Sequence, residues 1–221
     1  MRQSVSGLLL GTVFSALAAA CSEPDVHTEH VVIDDQVESI SVLVGSGDLR
    51  LRGADVATVD VTARIEGPSN HLGRTLSGAQ LLLFDDCHER QCSVDVTAVV
   101  PSGVPVELHT DSGDVKLDDL LATIAVHTGS GDILGSDLGG ADLRAETGSG
   151  DVTLDVTEPA EQVHVRTGSG DVALAVPSGG YSLSVTTGAG DHEVDGVSND
   201  SGAPGSIEVF TGSGDVVIHG Y

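Results

Sequence analysis

Gly148-Ser-Gly-Asp-Val-Thr-Leu-Asp-Val156 joins a glycine-rich corner to a strict two-residue alternation, and this pairing decides the fold. Glycines permit positive φ at a sharp corner, while Val152, Leu154 and Val156 on one parity read as the buried face of a β-strand. The corner recurs as Gly45-Ser-Gly-Asp48, Asp111-Ser-Gly-Asp114, Gly129-Ser-Gly-Asp132, Gly168-Ser-Gly-Asp171, Gly188-Ala-Gly-Asp191 and Gly212-Ser-Gly-Asp215. From the second copy onward the closing aspartates are separated by 18, 19, 20, 20 and 24 residues. A near-constant step is the mark of stacked repeats, each burying its apolar side against its neighbours.

The residues around the corners favour strands. Val163-His-Val165, Leu183-Ser-Val185 and Ile207-Glu-Val209 precede them, and Val172-Ala-Leu174-Ala-Val176 and Val216-Val-Ile218 follow, with no sustained helical period in the mature chain. The reading is an all-β chain, a β-solenoid of parallel stacked coils of about 20 residues each, with a less regular N-terminal β portion.

Three parts follow along the chain. Residues 1–20 read as a signal peptide: Arg2, an apolar run from Val5 to Leu17, and Ala18-Ala-Ala20 before Cys21. This segment resembles a bacterial lipoprotein signal, which makes Cys21 the expected lipidation site; an ordinary secretory cut after Ala20 fits the small residues as well. Ser22 after the cysteine resembles the outer-membrane sorting case. Residues 21–30 read as a polar tether, and His27-Thr-Glu-His30 within it as solvated linker, because the histidines lack helical i, i+4 spacing. Residues 31–221 form one solenoid domain, irregular over 31–100 and regular over 101–221. Strands are predicted at Val31–Ile33, Ser39–Val44, Asp48–Leu51, Val56–Ile65, Ala79–Phe84 and Ser93–Val99, with Gly67–Gly78 as a loop.

Composition narrows the partners. The chain has 34 acidic against 9 basic residues, a formal charge of -25, and only 2% aromatic residues. Such a surface repels nucleic acid and anionic lipid headgroups, leaving cations, proteins or glycans, and it offers few rings on which bases or sugars stack. Cys87 and Cys92 remain as an even pair once Cys21 is lipidated, and in an exported chain they read as a disulfide across a short loop. A metal site with His88 has only three ligands there.

The run Val100-Pro-Ser-Gly-Val-Pro-Val-Glu-Leu-His-Thr-Asp-Ser-Gly-Asp-Val115, followed by recurrent Thr-Gly-Ser-Gly-Asp-Val, resembles the bacterial putative-adhesin family of β-solenoid domains over roughly residues 31–221. The resemblance implies a cell-surface or envelope role and transfers no catalytic residue.

The column of Asp114, Asp132, Asp151, Asp171, Asp191 and Asp215 carries two readings. As caps, the carboxylates accept backbone N–H groups at the corners. Like charges stacked at the strand spacing repel by about 0.9 kcal/mol per neighbouring pair in water, which capping offsets. As ligands, repeated oxygen donors suit calcium, although calcium-binding β-rolls use a nine-residue repeat. A second outward row is His109, His127, Glu146, Arg166, Thr186 and Phe210, with Glu146 and Arg166 expected to pair. His192 takes an inward slot that elsewhere holds valine or isoleucine, and is expected to be a buried neutral histidine or to mark a register shift.

Neither a nucleophile elbow nor a phosphate loop is present: Gly-Ser-Gly lacks the strand-to-helix frame, and Lys116 has no adjoining glycine. Glycoside-cleaving carboxylate pairs would lack aromatic seats for sugar. The expectation is a non-catalytic, cofactor-free envelope module, adhesin-like or a periplasmic scaffold or stress-sensing module, with a polysaccharide-acting β-helical enzyme the least favoured reading.

Overall fold

Valine-rich alternation on both sides of each corner builds two sheets, one strand of every pair in each. A computed structural model describes residues 25–67, 71–86 and 92–221. The seven corners join β2 (Ser39–Ser46) to β3 (Leu49–Ala54), β8 (Val106–Ser112) to β9 (Val115–Asp118), β10 (Ile124–Ser130) to β11 (Ile133–Leu138), and β12 (Asp142–Ser149) to β13 (Val152–Val156). They continue with β14 (Gln162–Thr167) to β15 (Val172–Val176), β16 (Gly179–Thr187) to β17 (His192–Asp195), and β19 (Ser206–Thr211) to β20 (Val216–Gly220). The remaining strands are β1 (Val26–Ile33), β4 (Val59–Glu66), β5 (Leu72–Ser77), β6 (Gln80–Asp85), β7 (Ser93–Pro101) and β18 (Val197–Asn199). Among the described residues no helix occurs.

Two ten-stranded sheets result. The first runs β1-β4-β7-β3-β9-β11-β13-β15-β20-β17, the second β18-β16-β19-β14-β12-β10-β8-β2-β6-β5. The corner-linked strands stack in parallel and in register: Val152 lies beside Val172 and Val172 beside Val216, while Val163 lies beside Ile207. Their inward side chains fill one core, from Ile40 and Leu49 through Leu154 to Ile207 and Ile218.

Stacking does not follow chain order at the C-terminal end. The last unit in sequence, β19–β20, inserts between β14–β15 and β16–β17, leaving β17 at the edge of the first sheet and β16 flanked in the second only by the three-residue β18. The inserted unit brings Ile207, Val209, Val216 and Ile218, all fully buried. The displaced unit brings Leu183, Val185 and Val194, only partly buried against the core. Burial of apolar surface stabilises in proportion to its area, so the more apolar unit occupies the interior and the more polar one faces solvent. This placement corrects the expectation for His192: it keeps the register of the valine slot, opposite Val216, yet is exposed because no further unit covers it.

Two N-terminal expectations are also corrected. Residues 26–30 are not tether but the start of β1, which pairs antiparallel with β4 in the register His27–Ile65, Glu29–Ala63 and Val31–Val61. The predicted loop Gly67–Gly78 contains β5, antiparallel to β6. Both were hidden because their side chains mix polarity: β5 is Leu-Gly-Arg-Thr-Leu-Ser, buried only at Leu72. Together with β4–β7, these antiparallel strands flank the regular stack on the side of β2 and β3. The signal segment, Cys21 and Cys87 lie outside the described residues.

Candidate functional site

Six of the seven corners follow a threonine and all seven end in an aspartate, and along the stack both residues reach the neighbouring unit, whereas Thr187 donates to Gly190 O of its own corner. The second glycine of each corner holds φ between 133° and 152°, as at Gly47 and Gly131, a region that side chains with a Cβ rarely adopt. A Cβ on Gly150 would also overlap the carbonyl oxygen of Gly131, and one on Gly170 that of Gly150. Glycine is therefore required twice, for the backbone angle and for the close stacking of one corner on the next.

The aspartates form a continuous hydrogen-bonded column. The Asp114 N–H donates to Asp48 Oδ1 at 3.0 Å and that of Asp132 to Asp114 Oδ1 at 2.9 Å. Asp151 donates to Asp132, Asp171 to Asp151, Asp215 to Asp171 and Asp191 to Asp215, each at 2.8 Å. Each carboxylate caps the next corner rather than its own. The column begins one rung earlier than the repeats suggest, because Asp48 N–H donates to Asp95 Oδ1 on β7 at 3.0 Å. Asp95 stands outside any Gly-Ser-Gly motif, so its membership had no local signal. Two arginines offset charge at this end: Arg50 reaches Asp48 Oδ2 at 2.8 Å and Arg64 reaches Asp95 Oδ2 at 3.3 Å.

A parallel column of buried threonines runs beside it. Thr128 Oγ1 donates to Gly113 O, Thr147 to Gly131 O, Thr167 to Gly150 O and Thr211 to Gly170 O, each at 3.0 Å. The recurrence of threonine before six of the seven corners was the available signal; Val44 fills the remaining position. Serine carbonyls are engaged too, with Gly131 N–H donating to Ser149 O and Gly150 N–H to Ser169 O. The corner thus turns its glycine, serine and aspartate carbonyls and one carboxylate oxygen toward its neighbours, leaving a calcium ion far fewer free donors than the six to eight it takes.

The outward face of the second sheet carries different chemistry. His109 and His127 stack with centroids 4.9 Å apart and planes inclined by 11°. Glu146 accepts from Arg144 Nη2 at 2.5 Å and lies 3.5 Å from His164 Nε2, while the other ring nitrogen of His164, Nδ1, lies 3.3 Å from Glu208 Oε2. The expected partner of Glu146, Arg166, instead places its guanidinium 4.4 Å from the Phe210 ring centroid. The insertion of β19 beside β14 brings that ring alongside, and a guanidinium over an aromatic face gains about 0.5–1 kcal/mol at an exposed site. A groove of about 600 Å³ opens on the same face, lined by Ser41, Thr75, Leu82, Glu107 and Ala125 among others. It adjoins a hollow of about 160 Å³ beside His109, His127 and Glu146, with Glu107 and Ala125 shared by both.

The described residues contain no helix long and apolar enough to cross a membrane. Cys92 is partly buried against the core; its expected partner lies outside the described residues, so the pairing stays an expectation.

Comparison with curated proteins yields no match. Among solved structures, the chain is similar to a "putative cell adhesion protein" from Clostridium sporogenes, at 12% identity and a TM-score of 0.45, over 90% of this chain and 100% of that one. A "putative adhesin" from Bacteroides fragilis is 12% identical with a TM-score of 0.48, over 88% and 97%. A "putative lipid binding protein" from Parabacteroides distasonis is 11% identical with a TM-score of 0.33, over 86% and 96%. The family described as Toastrack DUF4097 matches residues 25–219, nearly all of the two-sheet stack from the start of β1 to the end of β20, and the chain belongs to that family.

Proposed function

We propose that this protein is a non-catalytic, adhesin-like module of the bacterial cell envelope, held at a membrane through lipidated Cys21, that binds an envelope or extracellular protein or glycan with the outer face of its second sheet. The observation that carries this reading is the division of labour between the two surfaces. The aspartate column is committed to capping successive corners, whereas the groove beside Thr75 and Glu107 continues into the stacked His109–His127 pair and leaves donors and acceptors exposed on a rigid sheet. A groove with apolar walls and a few placed polar groups is the usual form of a binding surface. In this reading the parallel units form a stiff β-solenoid that presents the face, and Cys87 and Cys92 staple the loop between β6 and β7.

Labelling of intact cells with a membrane-impermeant reagent, followed by proximity labelling of neighbours, tests the proposal. Label on intact cells supports the adhesin-like reading; label only after permeabilisation favours a periplasmic scaffold. The neighbours captured by the wild type should be lost in a folded His109→Asp/His127→Asp variant, and an unchanged set would overturn the assignment of the binding face. Cys21→Ser should move the protein to the soluble fraction, since no other anchor is proposed.

A further inference from the structure

We infer that His27, Glu29 and His71 form a transition-metal site, best suited to zinc, that pins together the N-terminal edges of the two sheets. β1 is the edge of the first sheet and β5 the edge of the second, and His71 immediately precedes β5. On a strand the spacing i, i+2 puts His27 and Glu29 on one face. That face is the inward one, shared with Ile33, so both polar side chains point into the open mouth of the core. Placed there, each must be satisfied or it destabilises the fold.

Glu29 is satisfied: Oε1 accepts from His71 Nδ1 at 2.7 Å and Oε2 accepts from the Leu72 N–H at 3.3 Å. His27 is not. Its Nε2 atom is buried without a hydrogen-bond partner, and it lies 3.7 Å from Glu29 Oε1, beyond hydrogen-bonding distance. A buried ring nitrogen with no partner, aimed at a carboxylate that already touches a second histidine, is an incomplete arrangement that one cation would complete. Among the described residues this is the one set of three ligating side chains whose donor atoms all lie within 4.8 Å of one another. Donors of a tetrahedral zinc site stand roughly 3.3 Å apart, from bond lengths of about 2.0–2.2 Å. The observed spacing approaches that value, and His71, with its side chain 69% exposed, is free to adjust.

Two imidazoles and one carboxylate select zinc, copper or nickel over calcium or magnesium, which prefer all-oxygen sets. The fourth position is left to water. Binding requires His71 to hold its proton on Nε2 so that Nδ1 faces the ion, a tautomer exchange within the neutral ring. The opposite face of β1 is already occupied, His30 Nε2 lying 2.8 Å from Asp60 Oδ1, so His30 is not a fourth ligand. The consequence is structural: an ion bridging β1 and the entry to β5 would close the end of the stack formed by the edge strands β1 and β5.

The test uses tag-free mature protein stripped with chelator and titrated calorimetrically with zinc chloride at physiological salt, which screens diffuse binding by the acidic surface. One zinc per chain is expected, with affinity falling tenfold or more in His27→Ala and in His71→Ala, and unchanged in His109→Ala/His127→Ala. Zinc should raise the melting temperature of the wild type and not of His71→Ala, because an ion that binds only the folded state stabilises it. Since His71 is exposed, that variant keeps the test decisive if His27→Ala fails to fold. Absence of saturable zinc binding, or stoichiometric binding that both single variants retain, would overturn the assignment. None of these outcomes depends on surface display or on the binding face, so failure here leaves the proposed function standing.

Discussion

The parallel stack and the N-terminal cap solve one problem in opposite ways. In the stack every unit repeats its neighbour, so a threonine hydroxyl, a carboxylate and the corner amides each meet the same partner one rung away. At the cap there is no next copy. Antiparallel β1, β4 and β5 close the edge, Asp95 stands in for a corner aspartate, and His27 and Glu29 take inward slots beside His71. Repetition satisfies polar groups automatically; an end must satisfy them individually, and unusual residues collect there. The C-terminal end shows the cheaper alternative, a unit with fewer apolar side chains left half-exposed.

The largest expected effect contrasts a corner glycine with a free one. Gly150→Ala should cost about 3 kcal/mol, from a φ of 152° and from overlap with the Gly131 carbonyl oxygen. Gly103→Ala, where a Cβ meets nothing within 4 Å, should stay within about 0.5 kcal/mol of wild type. Urea denaturation of both variants checks this, and equal stabilities would show that the corners do not stack as tightly as described.

A smaller effect separates interior and terminal rungs. Asp151→Ala removes the acceptor for the Asp171 N–H and should cost about 1 kcal/mol. Asp191→Ala should cost little, because Asp191 donates to Asp215 but receives nothing from a further rung. In the capping reading, millimolar calcium shifts neither melting temperature more than equal ionic strength does. Saturable calcium binding that disappears in Asp151→Ala/Asp171→Ala would reverse the choice between capping and coordination.

The smallest effect lies at high pH. The two tyrosines of the chain, Tyr181 and Tyr221, both sit toward the C-terminal end. Burial raises the pKa of each phenol above the ordinary value, and for Tyr221 the Asp155 carboxylate that accepts its hydroxyl adds to the rise. The folded chain therefore holds these protons more tightly than the unfolded chain. This contribution to stability is complete below the ordinary phenol value of about 10 and is lost as pH rises through the folded values. Ultraviolet titration should show both rings ionising late, with Tyr221→Phe removing one step. Ordinary titration of both would indicate that the C-terminal end is open.

The sequence by itself determined what repeats. Seven corners closing in Gly-Asp between alternating strands specify sheet class, inward parity and corner positions, because a two-residue period and a glycine-only φ are local properties of the chain. Even the aspartates' capping role was legible, though not that each caps its neighbour. What only the tertiary structure decided is everything that depends on which strand lies next to which. The insertion of β19–β20 ahead of β16–β17 brought Phe210 under Arg166 and left His192 exposed, and both outcomes rest on a comparison of buried apolar area between two units, a non-local quantity. The meeting of His27 and Glu29 with His71 is of the same kind, since more than forty positions along the chain separate these two residues from His71 and only the shared edge of the stack brings them together.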